Sequence, residues 1–243
     1  RDTFFEYERD MFRQIILESV VPYLESGKAE FVLFGHQLMM NLAALTAGVD
    51  RPLGTYEETS RLYDYLTTFI EGATLGFYTG DVDAKRTEIE EKLEAFDREF
   101  LEPGIALRND LLEKFERGEI EEEELPRDVL QVLLRNQDKV PMTRESLRRE
   151  IAFYLLAGAH TSATALTRVV HNIFKWLEEH PEDQAKAYSD KVFLQKATHE
   201  TIRLQPSSPT AARWALEDIE LKSGIKIAEG DKVVIDLETV NRD

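Results

Sequence analysis

Between Thr143 and Glu179 apolar residues recur at three- and four-residue steps with no proline, bounded by Pro141 before and His180-Pro181 after. Such a stretch reads as one continuous helix, N-capped by the Thr143 hydroxyl. It stops where the residue before Pro181 is pushed out of helical geometry. At 1.5 Å per residue it would span roughly 55 Å, enough to cross a whole domain. A chain built round such an element is expected to be mainly α.

The same periodicity holds upstream. Phe12, Ile15, Ile16, Val20 and Leu24 mark a helix over 5–24, and 30–47 is apolar nearly all round, predicting a buried helix ended by Gly48. After the break at Arg51-Pro52-Leu53-Gly54, Thr55 is placed to cap an aromatic-rich helix to about Leu75. A long amphipathic helix is predicted from Val82 to Arg117, kinked at Pro103-Gly104. The acidic run at Glu119 and Glu121–Glu124 reads as a solvated loop before a short helix over 126–137. A further helix is predicted over about 190–204. Beyond Pro206 and Pro209 the pattern turns to β alternation, from Arg213 to Leu221 and from Ile225 to Leu237, with turns at Ser223-Gly224 and Glu229-Gly230. No repeat or shift in composition marks a boundary, so one helical domain over 1–243 is expected, about eight helices with one or two hairpins near the C-terminus.

Composition narrows the partners. The 243 residues carry a net charge of −17 and 42% hydrophobic residues. That is a globular composition, with no basic footprint for nucleic acid or for an anionic membrane surface. The longest purely apolar run, Ile151 to Ala159, falls short of the ~18–20 residues a membrane helix needs. Cysteine is absent, which removes disulfides, thiolate metal sites and cysteine nucleophiles. The five histidines do not form a metal-ligand spacing, and Arg203 stands where a zinc-protease helix beginning His199-Glu200 would need its second histidine. No metal ligand is therefore expected in this chain, and the expected setting is soluble, reducing and cytoplasmic.

Two stretches carry chemistry. In Ala157-Gly158-Ala159-His160-Thr161-Ser162, a mid-helix glycine costs about 1 kcal/mol relative to alanine and calls for a reason. The small residues let something flat lie close to the backbone, or let another helix approach. Thr161 can bond the carbonyl of Ala157 one turn back, loosening the helix there. In Glu200-Thr201-Ile202-Arg203, the acid and the base share one helix face and can form a forked pair.

Taken in order, Ala157, Gly158 and Thr161, then Glu200 and Arg203, then Arg213, Ala215 and Asp218, then Gly230 and Val233, then Asn241, Arg242 and Asp243 resemble the cytochrome P-450 superfamily of heme-thiolate monooxygenases, soluble bacterial type. The resemblance implies that fold's D to K helices, with 143–179 as the long central I helix. It implies that Ala157 and Gly158 line the groove over the distal heme face and that Thr161 holds the hydrogen bonds for proton delivery. Glu200 and Arg203 become a buried structural pair, and Arg213 binds a heme propionate. Pro209 and Ala211 border the heme edge and substrate pocket, and the aromatic helix 55–75 with its successor roofs that pocket.

Two departures stand out. His160 occupies the position where the family usually has an acid, making it a candidate proton relay or a packing residue. The Cys loop that supplies the iron's thiolate is missing, and the first residue is not Met, so the chain looks like the central part of a longer heme domain. The implied activity is hydroxylation of a small apolar substrate with dioxygen, heme and electrons from a ferredoxin or flavoprotein reductase. The alternative is a non-catalytic helical ligand-binding or scaffold module with the same fold and no heme.

Overall fold

The computed structural model describes residues 2–242, with side chains over 11–76 and 78–242. Ten α-helices among them are α1 (Asp2–Ser26), α2 (Phe31–Ala47), α3 (Tyr56–Ala73), α4 (Val82–Phe96), α5 (Glu102–Glu116), α6 (Val129–Arg135), α7 (Arg144–Glu179), α8 (Gln184–Ser189), α9 (Lys191–Leu204) and α10 (Leu237–Val240). The count exceeds the expected eight because the Val82–Arg117 stretch holds two helices, α4 and α5, and because α8 and α10 are short helices that no periodicity marks. Four strands are confined to 210–236: β1 (Thr210–Trp214), β2 (Ile219–Glu220), β3 (Lys226–Ile227) and β4 (Lys232–Asp236). The architecture is mainly α with small β hairpins, as the sequence predicts. Among the described residues no helix is long and apolar enough to cross a membrane.

The chain forms two compact units, one up to Ala163 and one from Thr164 on, with the boundary inside α7. Composition carries no sign of this division.

In the first unit the core gathers Met40, Leu62, Leu66, Phe96, Leu101, Leu130, Ile151 and Leu155, drawn from α2 to α7. The caps predicted at Thr55 and Thr143 are formed: Thr55 Oγ1 accepts from the Glu58 N–H at 3.2 Å, and Thr143 Oγ1 from the Ser146 N–H at 3.1 Å. The stripe assigned to α1 is only partly used, since Ile15 is buried while Ile16 and Leu24 face solvent. The expected Val82–Arg117 helix is divided by a π-helical turn at Asp97–Leu101. Pro103 lacks an N–H and crowds the preceding turn, and the extra residue of a π-turn takes up that mismatch. The short helix starts three residues later than predicted, at Val129, because Asp128 accepts the Gln131 N–H at 2.8 Å and so becomes the cap.

A buried ion network joins these helices. Arg108 on α5 donates to Asp128 from Nε and Nη2, to Asp50 after α2 from both terminal nitrogens, and to the Gly104 carbonyl. The Arg108 and Asp128 side chains are 3% and 7% exposed. Burial alone would lower the Arg108 pKa, but its hydrogen bonds to Asp50 and Asp128 outweigh that and raise it above the ordinary arginine range. Gly48, at φ 88°, ends α2 against this network, and a Cβ there would meet the Asp128 carboxylate at 2.5 Å.

In the second unit β1 pairs antiparallel with β4, Thr210 opposite Asp236 through Trp214 opposite Lys232, and the two-residue pair β2–β3 is nested inside it. The predicted turns fall at Gly224 and Gly230, both with positive φ. Continuous alternation over 213–221 is broken at Ala215, whose N–H donates to the Asp231 carbonyl and whose carbonyl accepts from the Gly230 N–H.

Candidate active site

α7 presents two different faces around Thr161. Ile151, Leu155, Ala159 and Ala163, four residues apart, are buried in the first unit. Phe153, Ala157 and Thr161 lie on an exposed face, Phe153 being 60% accessible. Thr161 Oγ1 donates to the Ala157 carbonyl at 2.8 Å, the back-bond its spacing predicts. A small residue, an aromatic ring and a hydroxyl therefore share one side of the helix.

Gly158 is used differently from its neighbour. A Cβ built on it would stand 3.1 Å from the Ala43 Cβ, a tight separation, so the glycine eases the close approach of α2 and α7. Of the two purposes named from the sequence, the close approach of a helix is the one seen, at Gly158, while Ala157 lies on the exposed face. His160 turns to α2 as well. Its ring lies 5.8 Å from that of His36 in an edge-on arrangement. Burial, and then the His36 imidazole, hold the His160 pKa below the usual range.

Beside this face, α3, α4 and α7 line an open groove of about 440 Å³ walled by Phe69, Gly72, Ile89, Leu93, Ala152 and Phe153. Charge sits at its margin, where Glu90 pairs with Arg149 at 2.6 Å. Of the α3 aromatics expected to roof a pocket, Phe69 lines this one. Tyr65 packs edge-on to Phe96 and Phe100 and donates its hydroxyl to Glu99 at 2.9 Å. Burial, then that bond, push the Tyr65 pKa up to about 12.

In the second unit the sequence motifs meet in two clusters. Arg203 forks onto Glu200 at 2.8 and 2.7 Å, and its remaining terminal nitrogen donates to the Asn241 carbonyl. Arg242 in turn donates to the Leu204 carbonyl at 2.9 Å, so α9 and the Asn-Arg turn are tied twice. Asp243 lies outside the described residues. The pair was expected to be buried and is not: the Arg203 and Glu200 side chains are 45% and 56% exposed. It lies on the solvent side of α9, where the Asn241 turn covers one edge only.

The second cluster is the hairpin. Asp218 accepts from the Glu229 N–H at 2.8 Å, binding the Arg-x-Ala-x-x-Asp segment to the turn that contains Gly230. Arg213 stands exposed on β1, its Nη1 donating to the Ala212 carbonyl, with no carboxylate partner among the described residues. Ala211 pairs with Ile235, and the exposed Pro209 accepts from the Leu237 N–H at 2.8 Å.

Two groupings escape sequence reading. The Arg108–Asp50–Asp128 network and the His36–His160 contact join residues far apart in the chain, and neither has a local spacing signal.

The family model "Cytochrome P450" matches residues 89–243, which include α7, the Glu200–Arg203 pair and the hairpin. The chain belongs to the cytochrome P450 family. Among curated relatives, the ganoderic acid synthetase CYP5150L8 of Ganoderma lucidum is 23% identical over 98% of this chain and 44% of its own length. The bifunctional cytochrome P450/NADPH–P450 reductase 2 of Bacillus subtilis is 24% identical over 66% of this chain and 17% of its own. Solved structures share the fold. CalO2 superposes with a TM-score of 0.70 at 17% identity, over 100% of this chain and 54% of that one. CYP109E1 of Bacillus megaterium, in complex with testosterone, gives 0.67 at 16% identity, over 100% and 58%. The chain thus spans less than half of these curated cytochromes P450 and little more than half of the solved ones.

Cytochromes P450 bind heme, and the residues present fit such a group. An exposed apolar helix face kept flat by Ala157 suits a planar macrocycle. In the second unit, the Arg213 guanidinium, with no carboxylate partner among the described residues, suits a propionate.

Proposed function

We propose that this chain supplies the distal helix and a propionate-binding arginine to a heme monooxygenase that hydroxylates a small apolar substrate. The observation that carries the reading is the Thr161–Ala157 hydrogen bond on the exposed apolar face of α7. When bound, the heme supplies dioxygen activation and substrate oxidation. The residues of this chain bind, orient and protonate. Ala157 keeps the helix surface low, so that a flat group and a small molecule can share the groove. Thr161, by donating its own proton to the Ala157 carbonyl, turns its oxygen lone pairs to that groove and orders a water there. Exchanging that donation lets the hydroxyl pass a proton from one partner to another. Arg213 anchors a carboxylate through its forked donors. The open apolar groove lined by Phe69, Ile89, Leu93 and Phe153 supports a small apolar substrate. Electrons would come from a ferredoxin or flavoprotein reductase.

Thr161→Ala in the heme-loaded, full-length protein tests the reading. Product formed per reductant consumed should fall and peroxide should rise, with substrate binding nearly intact. Equal coupling in wild type and variant would remove Thr161 from the mechanism.

A further inference from the structure

A small pocket in the first unit uses none of the residues assigned to heme or substrate. It measures about 80 Å³, is partly open to solvent, and lies between α1, α2 and the start of α3. Two opposite charges line it without meeting, Arg51 in the loop after α2 and Glu18 of α1. Each is held by a neutral partner instead. Arg51 Nη1 donates to Thr59 Oγ1 at 3.1 Å, and Gln14 Nε2 donates to Glu18 Oε1 at 2.7 Å. The Arg51 guanidinium makes no ion pair, and its Nε and Nη2 have no acceptor among the described residues. Burial lowers its pKa, and Glu58 and Glu18 offset that only in part. Glu58 does not line the pocket, and its carboxylate is taken up by the Leu53 and Gly54 N–H groups at 3.2 and 2.8 Å. Gln37 of α2 lines the pocket and is 6% exposed. Its Oε1 accepts from the Tyr23 hydroxyl at 3.0 Å, while its Nε2 has no partner among the described residues and is not sealed from solvent.

We propose that this pocket binds the head group of a small α-amino acid, with the carboxylate on Arg51 and Gln37 and the ammonium on Glu18. Size restricts what can enter. A cavity of about 150 Å³ takes a benzene ring. At 80 Å³ this pocket admits a head group, and any side chain must point out through the opening. Charge restricts the ligand further. An anion alone would neutralise Arg51 but face Glu18, in a chain already at −17. A cation alone would face Arg51, and a neutral molecule would leave the buried guanidinium without a counter-charge. A zwitterion answers both walls at once. The Nε–Nη2 edge of Arg51 can fork onto a carboxylate, and the Gln37 amide adds a third donor. Ser19 Oγ, which accepts only a long bond of 3.5 Å from Asn41 Nδ2, joins Glu18 in supplying acceptors for an ammonium. The ligand so held would tie α1 to the loop after α2.

Calorimetric titration of glycine into the full-length, heme-loaded protein tests this. The protein is held in the ferrous carbonyl form, so that an amine cannot ligate the iron. One saturable site per chain is expected. Acetate and methylammonium, which each carry one of the two charges, should bind about tenfold more weakly or not at all. Arg51→Gln and Glu18→Gln should each weaken glycine binding by about tenfold or more. Glu18 is exposed on α1, so Glu18→Gln should fold even if Arg51→Gln does not, and its loss of affinity carries the test by itself. Absence of saturable heat with glycine overturns the proposal, as does equal affinity in wild type and Glu18→Gln. Acetate bound as tightly as glycine overturns it too, and makes the pocket a simple anion site.

Discussion

Gly158 of α7 lies so close to Ala43 of α2 that a Cβ added to it would stand 3.1 Å from the alanine's own. At that separation one partner must move by a few tenths of an ångström, and the position decides how α2 lies against the buried stretch from Ile151 to Ala163. Gly158→Val should therefore destabilise the protein by about 1–3 kcal/mol through overpacking. In Gly158→Ala the gain in helix propensity, about 1 kcal/mol, is set against the tight contact and the net change should be small. Combining it with Ala43→Gly should turn Gly158→Ala into a gain in stability relative to Ala43→Gly alone. Urea unfolding of the four proteins measures this coupling.

Removing the Arg108 guanidinium leaves the Asp128 carboxylate buried beside Gly48 without its cation. Arg108→Leu is expected to cost about 3–5 kcal/mol, the range for breaking one side of a buried pair. Asp128→Asn should cost less, since asparagine still caps α6 and no stranded anion remains. Denaturant midpoints of the two variants give the order, and equal losses would contradict it.

His160 is held below the usual imidazole range in the folded protein, first by burial and then by His36. The unfolded chain, with an imidazole near its ordinary value of about 6.5, therefore binds more protons through that window. Stability should be fully present above about pH 6.5 and decline as the pH falls through the folded value. His160→Gln should flatten this part of the profile, as read from melting temperature between pH 5 and 8. A wild-type slope of the opposite sign would show that the folded state favours the cation.

Arg203 ties Glu200 to the Asn241 carbonyl with a fork that lysine cannot reproduce. Arg203→Lys should keep the charge yet release the turn after α10. Backbone amides over 237–242 should then exchange faster with deuterium, while those of α7 before Ala163 stay unchanged. Unaltered exchange at 237–242 would mean that Arg242, through the Leu204 carbonyl, holds that turn by itself.

What the sequence determines here is local. A 3.6-residue apolar period, Thr55 and Thr143 before their helices, and prolines after them specify where chain segments become helical, because each signal acts within one or two turns. The same locality made the Thr161–Ala157 bond, the Glu200–Arg203 fork and the turns at Gly224 and Gly230 legible. The order of those motifs along the chain was enough to reach the cytochrome P450 family.

Only the tertiary structure decided which way those residues face. The apolar stripe of α1 covers less than its pattern promised, and the Glu200–Arg203 pair is half-exposed where burial was expected. Gly158 answers to Ala43, His160 to His36, and Asp128 to Arg108, partners 115, 124 and 20 residues away in the chain. No periodicity encodes such pairs. Each arises because two helices, folded for separate local reasons, are pressed together by the burial of a shared apolar core, and the residues left facing each other must then fit or pair.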